Sequence, residues 1–155
     1  MAAVVIKLTT YEMMMAANIG VMRQVESIKY NMQPKYGLDS EGDWQKHIES
    51  AMTECVMAKY KNVFWCKRDR KDPDVGDFEV RASQRPDARL IIHHDDFDDR
   101  AYWLVTGKNG TYTVHGYMMG RDAKNQKYWT DPKTGRPAFF VPQSDLIQPE
   151  DNENV

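Results

Sequence analysis

Residues 71–83, KDPDVGDFEVRAS, bring Asp74, Asp77, Glu79 and Arg81 close together. Carboxylates at this spacing can converge on one hard divalent cation. Mg²⁺ takes oxygen ligands in octahedral geometry and keeps several waters, so two or three protein carboxylates suffice. If DFEVRAS is a strand, Phe78, Val80 and Ala82 face one side, and Asp77, Glu79, Arg81 and Ser83 face the other. Pro73 and Asp74 then fall in a turn just before it. A basic residue two places after Glu79 lies beside it. There it can hold an attacking water or steady the charge growing on a phosphate. A solvated strand edge with ordinary cross-strand pairing has the same composition, so the surrounding elements carry the decision.

Those elements begin with AVVIKL, residues 3–8, a short strand or extended lead-in. TTYE follows, with Thr9 as N-cap and Glu12 three places on, a capping box. Met14, Ala17, Val21, Val25 and Ile28 recur at helical spacing and predict a helix reaching about Asn31. After a loop rich in Pro and Gly, a second helix is expected from Asp39 or Ser40. Its apolar stripe is Trp44, Ile48, Ala51, Cys55 and Ala58. The period then changes. NVFWC, DFEVRAS, RLIIHH, AYWLVTGK, TYTVHGYMM and AFFVP read as strands, with a tight turn at Asn109-Gly110. A short helix is expected near residues 120–127. Helices followed by strands predict an α/β or α+β fold in which helices flank a mixed central sheet.

PD at 73–74 followed by EVR at 79–81 resembles the PD-(D/E)xK signature of the restriction-endonuclease-like superfamily. That resemblance implies its fold, with a mixed sheet between helices. It also implies a Mg²⁺- or Mn²⁺-dependent deoxyribonuclease, in which a cation-activated water attacks the phosphodiester. In the superfamily a preceding helix supplies a further Glu. Here that residue is Glu54, at the edge of the stripe made by Ala51, Cys55 and Ala58. The implied catalytic set is Glu54, Asp74, Glu79 and Arg81. The implied metal ligands are Glu54, Asp74 and Glu79, with Asp77 in reserve. Small phage-encoded proteins of this type look similar in their DV, EVR, LII, LVTG and FFVP runs. The chain departs from the signature twice. Arg81 stands where Lys is usual, and a guanidinium cannot lose a proton. The gap from Asp74 to Glu79 leaves space only for a tight hairpin, so either Asp74 or Asp77 can partner Glu79. A catalytically inactive module of the same fold, binding nucleic acid or a protein, is the alternative.

Two basic clusters suit phosphate. Lys67, Arg68, Arg70 and Lys71 lie immediately before Asp74. Arg121, Lys124, Lys127, Lys133 and Arg136 surround Tyr128 and Trp129, whose rings can stack on bases. The net charge of −2 gives no global field toward DNA, so any such surface is local. HHDDFDDR, residues 93–100, reads as a solvated Asp-rich turn, since His93 and His94 on a strand would face opposite ways. His115 reads as a structural strand histidine.

The two cysteines, Cys55 and Cys66, lack metal or redox spacing and are expected as buried thiols. The 155 residues suit one domain over 1–149, followed by a disordered acidic tail at 150–155. The N-terminal apolar run is too short to cross a bilayer, and no secretory signal is evident. A cytoplasmic location is expected, that of the host if the chain is phage-encoded. The run of methionines in MMMAANIGVM exceeds what one packed face can hold, so this helix is the expected homodimer surface.

Overall fold

The capping box forms as the spacing predicts. In the computed structural model, which describes residues 3–32, 42–67, 69–132 and 135–150, Thr9 N–H donates to Glu12 Oε1 at 2.7 Å. Glu12 N–H returns to Thr9 Oγ1 at 3.2 Å. Strand β1 (Val4–Lys7) leads into this cap, and helix α1 (Thr10–Lys29) runs from it. Helix α2 spans Asp43–Lys61. The expected caps Asp39 and Ser40 lie outside the described residues, and the position before α2 is a left-handed Gly42 with no side-chain cap. Every residue from Ala51 to Ala58 is buried, because α2 lies between α1 and the sheet.

β2 (Glu79–Ser83), β3 (Leu90–Ile92), β4 (Ala101–Lys108) and β5 (Thr111–Met119) follow. After them come the one-turn α3 (Gly120–Ala123), β6 (Trp129–Thr130) and β7 (Ala138–Val141). The main sheet has the order β1-β5-β4-β2. β2 runs parallel to β4 and the other pairs are antiparallel. This is the expected mixed sheet with packed helices. A second sheet, β3-β7-β6, forms a further layer. One core joins Val80, Trp103, Val105, Tyr112 and Val114 to α2. The other joins Tyr102, Leu104 and Met118 to Leu90, Ile92 and Val141 of the second sheet. β4 is therefore apolar on both faces, and its middle residues Tyr102–Thr106 are all buried. The β4–β5 register shifts between Leu104 and Val105, which leaves His115 as the extra residue of a bulge. Its Nε2 sits 2.6 Å from Thr106 Oγ1, a structural contact.

Three expectations about packing change. The first concerns α1, which buries Ala16, Gly20 and Gln24. Met14, Val21, Val25 and Ile28, expected in the packed stripe, are exposed instead. Small residues win the inner face because the two helices approach very closely at Gly20. A Cβ built there would lie 2.5 Å from Ile48 Cα and 2.7 Å from His47 O. Gly20→Ala is therefore expected to destabilise the fold by about 1–3 kcal/mol, although alanine favours an isolated helix by about 1 kcal/mol. Urea denaturation measures it; a stabilised variant would mean that the helices part freely.

The second concerns NVFWC, which is not a strand. Left-handed Asn62, φ 53°, ends α2, and residues 63–67 form no strand, with Phe64 exposed. Cys66 is consequently exposed, whereas Cys55 is buried, its thiol pushed up to about 11 by burial. The third concerns residue 150, assigned above to the acidic tail. Its carbonyl accepts the Tyr60 hydroxyl at 2.7 Å. Residues 151–155 of the expected tail lie outside the described residues. No helix among the described residues is long and apolar enough to cross a membrane.

Candidate metal centre

The short gap between Asp74 and Glu79 is what brings them together. Val75 and Phe78 pair across a two-residue turn, with N···O distances of 3.2 and 3.0 Å. Gly76 takes the left-handed conformation at φ 55°, which glycine adopts without Cβ strain. The next rung outward sets Asp74 against the start of β2. Its Oδ2 accepts the Val80 N–H at 3.0 Å, and Lys67 Nζ lies 3.3 Å from Oδ1. The Asp74 and Glu79 carboxyls hydrogen-bond to each other. Asp77 is the second turn residue. It is exposed and lines a separate hollow with Lys61 and Trp103. Of the two aspartates, the hairpin geometry places Asp74 beside Glu79, and Asp77 lies apart from that pair.

Glu54 approaches from α2. It is buried and held by a two-pronged guanidinium contact: Arg23 Nη1 donates to Oε2 at 2.5 Å and Nη2 to Oε1 at 3.0 Å. Asp74 is its nearest acidic influence, and Lys67 offsets it. Helix, turn and strand thus contribute a row, Glu54–Asp74–Glu79, in which Asp74 interacts with both neighbours. A cation attends each acid: Arg23, Lys67 and Arg100. Arg100 Nη1 donates to Glu79 Oε1 at 2.6 Å and Nη2 to the Lys71 carbonyl at 2.8 Å, with its guanidinium 3.9 Å from the Phe97 ring centroid.

The charges are uneven. Burial, then the hydrogen bond and charge of Asp74, push the Glu79 carboxyl up to about 7 against the pull of Arg100. Burial also opposes ionisation of Asp74. The hydrogen bonds from Glu79 and the Val80 N–H, with Lys67 beside them, nevertheless hold it below the usual carboxylate range. Burial raises Glu54, and Arg23 only partly offsets this. At neutral pH the Asp74–Glu79 pair therefore carries one shared proton for much of the time.

Arg81 is committed elsewhere. Its Nη2 pairs with Asp96 Oδ2 at 2.9 Å and its Nε donates to the Ile91 carbonyl at 3.3 Å. Its guanidinium lies 4.7 Å from the Tyr102 ring centroid. The guanidinium that contacts Glu79 directly is that of Arg100. Nothing in the local spacing singles out Arg100, which comes from the far end of the Asp-rich loop. That loop is a built turn: Asp96 also accepts the His93 N–H at 2.8 Å.

The basic clusters divide. Lys67 faces the acid row, and Arg70 is exposed beside it. Lys71 is exposed, while Arg68 lies outside the described residues. Lys124 is a structural cation, bound to Asp98 at 2.6 Å and to the Asp96 carbonyl. Lys127 lies over the Tyr128 ring, and Arg121 is exposed. Lys133 is outside the described residues. A groove of about 1030 Å³ opens between the C-terminal half of α1, the start of α2, and residues 65–67 with 69 and 70. Arg23, Lys46, Lys67 and Arg70 line it, with Trp65 and Tyr30. Arg23 and Lys67 thus touch both the groove and the acid row, a link that only the three-dimensional packing reveals.

No protein-family model, curated protein or solved structure matches this chain.

Proposed function

We propose that the chain is a metal-dependent phosphodiesterase acting on DNA, with Asp74 and Glu79 as the primary ligands of Mg²⁺ or Mn²⁺ and Glu54 as a third acid. The observation that carries this reading is the convergence of three carboxyls from three elements, two of them in direct contact and partly buried. Like-charged groups in contact cost stability unless a proton or a cation lies between them.

The donor set fits a hard cation. All three groups offer oxygen, and one or two carboxylates with substrate phosphates are a usual Mg²⁺ set. Among the described residues, no group of three or more Asp, Glu, His or Cys side chains is arranged to hold a metal ion as it stands. Arg23 occupies both oxygens of Glu54. On this reading a DNA phosphate entering the groove draws Arg23 away and frees Glu54. Lys67 and Arg70 grip the backbone, and Trp65 offers a face for a base. Arg100 keeps Glu79 oriented. The cation contributes positive charge at the phosphate and acidifies water.

The test is a plasmid assay. Supercoiled DNA with wild-type protein and Mn²⁺ should be nicked or linearised, and chelator or Asp74→Asn should stop it. DNA binding without cleavage would favour the inactive-module reading. That reading has one observation of its own, the ion pair already made by each carboxylate.

A further inference from the structure

Among the described residues, the outer face of α1 groups many of the exposed large apolar side chains. Tyr11, Met14, Met15, Val21, Met22, Val25 and Ile28 are all exposed, from 37% for Val21 to 85% for Tyr11. Their positions are ordered. Residues 11, 14, 18, 21, 25 and 28 alternate steps of three and four, the a and d positions of a heptad, and Met15 and Met22 flank them. None of these side chains carries a charge. Asn18, the one polar residue of the seam, is exposed and sits near its middle. The opposite face of the same helix is spent on α2 through Ala16, Gly20 and Gln24, so α1 has two packing faces and the fold uses one.

We infer that α1 pairs with α1 of a second copy of this chain across a two-fold axis passing close to Asn18. Three properties favour a second copy over another protein. The spacing is that of a helix seam rather than a pocket for a short peptide. A two-fold axis brings the two Asn18 amides together, so each donor meets an acceptor; a central polar residue of this kind sets register in helix pairs. The seam runs from Tyr11 to Ile28, 18 residues or about 27 Å of helix at about 1.5 Å per residue, long enough for two copies to pack along it. The inference does not rest on the metal site: the seam centres on the side of α1 away from Gly20 and α2, although Met22 at its flank also borders the groove.

Sedimentation equilibrium of the full chain should give a mass near twice 18.0 kDa at micromolar concentration. Met14→Glu with Val21→Glu should give a monomer with unchanged helical circular dichroism, since both residues are exposed. The two-fold geometry has its own readout. In a Cys66→Ser background, Asn18→Cys should oxidise to a covalent dimer, whereas Val5→Cys, exposed on β1, should not. A monomeric wild type at high micromolar concentration would overturn the proposal, whether α1 is then bare or covered by residues 33–41 of the same chain. So would a dimer that survives the Glu substitutions, or one in which Asn18→Cys fails to cross-link.

Discussion

Glu79→Gln is expected to abolish Mn²⁺-dependent cleavage and to make the folded protein more stable at pH 8. The loss should be on the order of 10³-fold, the several kcal/mol of charge stabilisation that a displaced cation withdraws. The gain follows from the same carboxyl. Glu79 titrates near 7 in the folded chain because it is buried against Asp74. A carboxyl whose folded value is raised contributes its full stability below the unfolded value of about 4.3. That contribution is lost as pH rises through the folded value near 7. Above that point the wild type holds two ionised carboxylates in contact, and the amide relieves them by about 1–3 kcal/mol. Below pH 4 Glu79 is protonated in both the folded and the unfolded chain, Gln is its near-isostere, and the two proteins should unfold at nearly the same urea concentration. Activity and stability then move in opposite directions, as at a site kept for chemistry. A variant that is less stable at pH 8 would show Glu79 to be a structural partner of Arg100.

The second large effect is at Arg23. Arg23→Met leaves Glu54 buried without its guanidinium partner, a change worth about 3–5 kcal/mol of stability. Glu54 is already shifted upward by burial, and losing Arg23 raises it further. The cost should therefore be largest at pH 8 and shrink toward pH 4, where Glu54 takes up a proton. Adding Glu54→Gln should recover most of it, giving a large coupling energy in a double-mutant cycle. The variant also separates a structural clamp from a substrate-exchanged one. If Arg23 competes with the cation for Glu54, Arg23→Met should bind Mn²⁺ more tightly than the wild type by calorimetry. Equal affinity would leave Glu54 outside the ligand set.

Local signals were legible because local physics decides them. The Thr9–Glu12 cap depends on two side chains three residues apart. The Asn109-Gly110 turn needs only positive φ at both positions, which both residues accept. The strand at 79–83 followed from alternation, and the closeness of Asp74 to Glu79 from the tight hairpin that their short spacing allows. What escaped depends on contacts distant in sequence. The outer face of α1 is more hydrophobic than its inner face, so periodicity selected Met14 and Val21. The Gly20–Ile48 approach instead required small residues inside. NVFWC has strand composition but pairs with no strand among the described residues. Arg23 and Arg100 reach the acids from 31 and 21 positions away. One chain read alone carries no trace of those pairings. Arg81 was well placed by spacing, yet Asp96 and the Tyr102 ring hold it.

A crystal soaked in Mn²⁺ and measured at the manganese edge tests the centre most directly. The expected map has one anomalous peak bridging the Asp74 and Glu79 carboxylates, with Glu79 deprotonated and the cation in place of the shared proton. Full occupancy of Mn²⁺ elsewhere, with Asp74 and Glu79 still in direct contact and Arg23 still gripping Glu54, would contradict it.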